Sequence, residues 1–174
     1  ATTAQAGTIL AQPTMAAKAA VVAYNLRFST GLQTVKSAID EGMIGRVLCV
    51  NAVVGQALEK WRHGRELKTT VSASRLRGGG VLRELSHELD YLHCLFGQPI
   101  CVVGLIGQQR LKDLDVEDTA LLVLKYNADN SSILASLAMD FTRWDDTRTC
   151  TIVGTKGTVM WNLMAGHVLC QSND

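Results

Sequence analysis

The chain has 174 residues, 47% of them apolar, which is enough for one well-packed core. Its formal net charge of +1 gives no global attraction to nucleic acid or an anionic membrane. No apolar run reaches the length of a membrane span, and the Ala- and Thr-rich start lacks the pattern of a signal peptide, so a cytoplasmic location is expected.

In chain order, the first 18 residues read as helix, with Pro13 tolerated only in a first turn, and Ala19–Tyr24 as a buried strand. Ser29 and Thr30 are N-cap candidates for a helix from Leu32 to Glu41, with Leu32, Val35, Ala38 and Ile39 on one stripe and Gly42 and Gly45 ending it. A strand is predicted from Arg46 to Ala57. Further strands are predicted over Ile100–Gln108, Asp118–Tyr126, Ser132–Thr142, Thr147–Val153 and Thr158–Asn162. Turns are expected at Asn127–Asn130 and Gly154–Gly157. Many strands with two good helices predict an α+β domain: a largely antiparallel open sheet with helices packed on one face.

Runs such as VLCVNAVV and ALLVLKY are apolar on both faces. Helices can cover one face; the other is expected to meet a partner subunit, or to fold over as a barrel or sandwich. The five cysteines, Cys49, Cys94, Cys101, Cys150 and Cys170, form no C-x-x-C pair and read as reduced core residues.

Gln56 to Arg77 has no sustained period. It holds Lys60, Arg62, Arg65, Lys68, Arg75 and Arg77 against only Glu59 and Glu66. Such a local basic excess suits an anionic ligand, phosphate or carboxylate; an ordinary solvated loop is the plain alternative.

The run from Gly78 to Gly97 reads as one helix. Val81, Leu82, Leu85, Leu89, Leu92 and Phe96 would pack on the sheet, with Arg83, Glu84, Ser86, His87, Glu88, Asp90 and Tyr91 on the polar side. His87 then lies between Glu84 and Asp90, each within side-chain reach. A nearby carboxylate would orient an imidazole able to exchange a proton near neutral pH. The three glycines would let a backbone or a ligand approach the helix start. A surface ion cluster is the plain alternative. HELDYLH has the wrong spacing for H-E-x-x-H, GTKGT is not a P-loop, and no G-x-G-x-x-G occurs, so no metal site or dinucleotide fingerprint is read here.

VVAYNLRF, EGMIG followed by RVLCVNAVVG, WRHGRE, GGGVLRELSHELDYLHCLFG, EDTALLVLKY and IVGTKGTV occur in this order. Together they resemble the C-terminal domain of the glucose–fructose oxidoreductase/inositol dehydrogenase/MocA (Gfo/Idh/MocA) family. The resemblance implies residues 1–24 as the end of an N-terminal Rossmann domain and 25–174 as a C-terminal α+β substrate and oligomerisation domain. It implies an enzyme that transfers hydride between a CH–OH group of a sugar, inositol or related polyol and NAD or NADP, the cofactor being held mainly by a Rossmann domain.

The implied catalytic base is His87, with Glu84 at the position of an acidic residue one turn earlier. Tyr24, Asn25, Arg27, Trp61, Arg62 and Asp90 would contact substrate or cofactor. A homodimer or homotetramer through the sheet face is implied as well. The family's Glu-Lys-Pro segment has no counterpart, because no Lys-Pro occurs. The 174 residues alone are expected to turn over nothing. The rival expectation is a non-catalytic oligomerisation or ligand-binding module of the same fold.

Overall fold

The computed structural model describes residues 3–12, 21–128 and 131–172. It contains α1 (Thr3–Leu10), α2 (Thr30–Asp40), α3 (Leu58–Trp61), α4 (Val81–Glu84) and α5 (His87–Phe96). The strands are β1 (Val47–Gly55), β2 (Cys101–Gly107), β3 (Thr119–Ala128), β4 (Ser131–Asp140), β5 (Thr147–Gly154), β6 (Gly157–Asn162) and β7 (His167–Ser172). They form one sheet in the order β2-β3-β4-β1-β5-β6-β7. Every pairing is antiparallel except β1 with β4, which is parallel. The α+β open sheet is therefore as the sequence predicts, with β7 and the parallel pair added.

α2 forms because its signals are local. The Ser29 side chain accepts a hydrogen bond from the Leu32 N–H, and Leu32, Val35 and Ala38 form its buried stripe. A Cβ at Gly31 would fall 2.4 Å from Trp161 of β6, so glycine lets helix and strand approach closely. Gly42 and Gly45 leave the helix with φ of 72° and 67°, in the left-handed region where glycine is favoured.

The β5–β6 turn closes against this exit: a Cβ on Gly154 would lie 2.1 Å from the Ile44 carbonyl oxygen. Gly154→Ala is expected to destabilise the domain by roughly 1–3 kcal/mol through overpacking. Urea unfolding checks this, and a midpoint equal to the parent's would contradict it.

β3 alternates cleanly. Ala120, Leu122, Leu124 and Tyr126 are buried under the helices, while Leu121, Val123 and Lys125 face outward. Burial pushes the Tyr126 phenol up to about 12. Register carries the outward face across to Val103 and Leu105 on β2, Leu134 on β4 and Leu169 on β7, all exposed. Leu105 reaches 78% exposure. One sheet face is thus covered and the other is an open apolar surface.

Between β2 and β3, Asp118 is fully buried. Burial works against its charge, yet the N–H groups of Leu111, Gln109 and Arg110 and the Thr119 hydroxyl outweigh it and hold its carboxyl below the usual range.

Several expectations are corrected. Val21–Tyr24 forms no strand: Val21 and Val22 are exposed, and Asn25–Phe28 is a 3-10 turn. Positions 19, 20 and Pro13, and the tip of the Asn127–Asn130 turn, lie outside the described residues. Only Cys150 is a core thiol, its pKa raised to about 12 by burial. Cys94, Cys101 and Cys170 are exposed because edge strands and an outer helix face carry them. Gln56–Arg77 holds α3 and a 3-10 turn at Leu67–Thr69.

Candidate active site

The stretch predicted as one helix is broken. α4 ends at Glu84, Leu85 and Ser86 form the break, and His87 is the first residue of α5. The preceding glycines are filled by the chain itself. A Cβ on Gly79 would meet the Val71 carbonyl at 2.2 Å, and one on Gly80 the Glu117 carboxylate at 2.3 Å. The space at Gly79 is thus taken by backbone and that at Gly80 by a side chain of the same chain.

Nor do Glu84 and Asp90 flank the imidazole. Glu84 Oε2 accepts hydrogen bonds from Arg62 Nη2 and Ser72 Oγ, both at 2.7 Å. The same Ser72 Oγ accepts from Arg62 Nε and Nη2 at 2.9 and 2.7 Å. Asp90 accepts from Arg27 in a two-point fork, Nε to Oδ2 at 2.8 Å and Nη2 to Oδ1 at 2.7 Å. A guanidinium offers a carboxylate two charge-assisted bonds. Arginines on neighbouring elements therefore draw both acids aside. The break also cancels the three-residue spacing that would have aimed Glu84 at His87.

What surrounds His87 is different. The Tyr24 ring stands edge-on to it, with centroids 5.5 Å apart and planes at 88°, and the Tyr24 hydroxyl donates a long 3.4 Å hydrogen bond to Ser86 Oγ. His87 Nδ1 is buried and has no hydrogen-bond partner among the described residues. A buried polar atom in that state is uncommon in folded proteins and invites a functional account.

Trp61 packs on Phe141 at 5.8 Å and carries the Arg62 guanidinium 4.3 Å over its ring. Asn25 is exposed at the start of the 3-10 turn that presents Arg27. Arg83 donates to the Arg75 carbonyl and lines a separate groove of about 610 Å³.

Predicted residues thus meet in two groups. Tyr24 and His87 come together, with Arg27 and Asp90 one turn along; Trp61, Arg62 and Glu84 form the other, joined by Ser72. Asn25 is near only through its neighbours in the chain.

The structure adds residues that the sequence reading placed wrongly or passed over. Glu88 and Tyr91, expected on the polar face, are buried. Glu88 accepts Arg148 Nε at 2.7 Å and Nη2 at 3.0 Å. Tyr91 lies 5.4 Å from Trp161, its phenol held well above the usual value by burial. Val81, Leu85, Glu88 and Leu92 share one stripe, and Arg148, Cys150 and Ile152 alternate on β5. An acid and an arginine set in two apolar patterns were the available signal.

With this geometry in view, similarity to known proteins places the chain. The sequence pattern of the GFO/IDH/MocA C-terminal domain matches residues 32–160. The chain belongs to the GFO/IDH/MocA family, in the part that forms its C-terminal domain.

Among solved structures, the WlbA dehydrogenase from Bordetella pertussis, in complex with NADH and UDP-GlcNAcA, is 24% identical with a TM-score of 0.71, covering 88% of this chain and 47% of its own. A levoglucosan dehydrogenase in complex with NADH is 20% identical with a TM-score of 0.73, over 87% of this chain and 42% of its own. Myo-inositol 2-dehydrogenase from Lactobacillus plantarum is 19% identical with a TM-score of 0.63, over 79% and 40%. At these identities the likeness shows a shared fold, and this chain spans less than half the length of each. No curated protein matches the sequence. No helix among the described residues is long and apolar enough to cross a membrane.

Proposed function

We propose that this chain is the substrate-side, catalytic-base domain of a nicotinamide-dependent oxidoreductase acting on a CH–OH group of a sugar, inositol or related polyol. The observation that carries the reading is His87 at the start of α5, with a buried nitrogen that the described residues leave unpartnered. Its setting fits a hydroxylated substrate, because the Tyr24 phenol and the Ser86 hydroxyl adjoin the imidazole.

In this reading His87 takes the hydroxyl proton of the carbinol during oxidation and returns it during reduction. Nicotinamide, when bound, supplies the hydride chemistry. Tyr24 limits the tilt of the imidazole. Glu84 holds Arg62 and, through it, the Trp61 ring; Asp90 and Arg27 hold the first turn of α5. The sequence holds no glycine fingerprint for the dinucleotide phosphates, so residues outside these 174 would bind NAD or NADP, and the isolated domain is inactive.

Relatives of this fold were solved with NADH, one also with UDP-GlcNAcA, which supports this choice of cofactor and substrate class. Turnover tests the reading: the full-length protein should reduce NAD or NADP with at least one sugar, inositol or nucleotide-sugar, and silence across the panel would count against it.

The open sheet face serves, in the same proposal, as a homodimer or homotetramer interface, since monomers rarely expose an apolar area of that extent. Leu105→Lys with Leu121→Asp should shift the sedimenting species to monomer. An unchanged oligomer, or a parent already monomeric, would remove the interface from the account.

A further inference from the structure

We infer that the ion pair between the buried Glu88 and the partly buried Arg148 is a positioning device for His87, an inference that rests on the reading of His87 as the proton-transferring group. His87 opens α5 directly after the break, and the residue before it, Ser86, has helical angles (φ −68°, ψ −6°) and makes no side-chain cap bond. The first turn of a helix has no intrahelical partners for its N–H groups, and an uncapped start tends to fray. Frayed by one residue, α5 would lose the imidazole's position. Something other than a cap therefore holds this turn.

Glu88 is the next residue, and its side chain is fully buried against the sheet. Arg148 meets it with both prongs of the guanidinium. Arg148 stands on β5 opposite Val54 of β1, at the middle of the seven-stranded sheet. The pair therefore ties α5 to the strand beside the centre of the sheet.

A planar fork admits one relative orientation of its two partners. It therefore fixes the rotation of α5 about its axis as well as its distance from the sheet. On the outer side of the same turn, Arg27 grips Asp90, but there the arginine side chain is 41% exposed. A buried ion pair contributes little stability beyond what a well-packed apolar pair would give. Geometry is what the charged pair adds.

The test uses the full-length protein with a substrate it turns over, comparing H87N, E88Q, R148K and the apolar replacement E88L/R148M. In E88L/R148M the melting temperature stays near the parent's, kcat falls about tenfold or more and KM changes by less than about twofold. R148K, which can keep one bond to Glu88, recovers part of the loss. In the H87N background, E88Q causes no further fall in kcat, because the pair acts through the missing imidazole.

Parental kcat in E88L/R148M, or the same fractional loss from E88Q with and without His87, overturns the inference. Should E88L/R148M fail to fold, E88Q decides alone: a fall of about tenfold in kcat without a matching fall in melting temperature supports the device, and an unchanged kcat overturns it. Turnover retained by H87N defeats the base reading itself, a different outcome from loss in H87N with full activity in the pair variants.

Discussion

His87→Asn in the full-length protein is expected to lower kcat by roughly 10²–10⁴-fold, the usual contribution of a positioned general base. Asparagine keeps a polar, hydrogen-bonding side chain at the start of α5 but cannot take a proton at neutral pH. The change gives up the edge-on packing against Tyr24, worth roughly 0.5–1.5 kcal/mol. It also removes the buried, unpartnered Nδ1, which works in the opposite direction. Stability should therefore stay close to the parent's while turnover collapses. If substrate is bound mainly by other groups, KM moves little and the loss lies in kcat. Steady-state kinetics with a thermal melt on the same sample separates the two effects. Near-normal turnover in a folded protein would remove His87 from the mechanism.

The second large effect is on stability. Phe141, just past β4, is fully buried and stacks at a tilt on Trp61. Its backbone joins three segments: its N–H donates to the Asp118 carbonyl, and its carbonyl accepts from the Leu58 N–H and from Arg110 Nη2. Phe141→Ala leaves those bonds formally possible but opens a cavity beneath the Trp61 ring. Such truncations cost roughly 3–5 kcal/mol. For a chain of this size each kcal/mol lowers Tm by roughly 2–4 °C, so a fall of roughly 6–20 °C is expected. Because Trp61 carries Arg62, and Arg62 holds Glu84, activity should also fall in the protein that remains folded. Denaturant unfolding reads the first effect, and a loss under about 1 kcal/mol would show that the cavity collapses and that Phe141 is no keystone.

What was legible in the sequence follows from how far each determinant reaches. α2 was readable to within two residues because its cap, stripe and terminating glycines all lie in one short segment. The strand β3 was legible too, but its alternation in burial was not, because the outward Leu121 and Val123 are as apolar as the buried Leu122 and Leu124. The break at Leu85–Ser86 was not, since no proline or glycine marks it, and a wheel drawn through Gly78–Gly97 runs straight across. Glu88 and Tyr91 were assigned outward by residue type. Their partners, Arg148 and Trp161, lie far along the chain on β5 and β6. The same holds for the acids beside His87: Arg62 and Arg27, 22 and 63 residues away in sequence, decide where Glu84 and Asp90 point. The sequence singled out His87 as a candidate, but its surroundings are set by residues distant in the chain. The parallel β1–β4 pairing, joining segments some 85 residues apart, left no local trace either.

If His87 serves a hydride transfer at a carbinol carbon, label transfer is the most direct test. The full-length protein is given oxidised NAD or NADP and an accepted polyol carrying deuterium on the reacting carbon. Deuterium should arrive on C4 of the reduced nicotinamide, at the parent's rate with wild type and only marginally with H87N. Label appearing in water, or equal transfer by both proteins, would contradict that role.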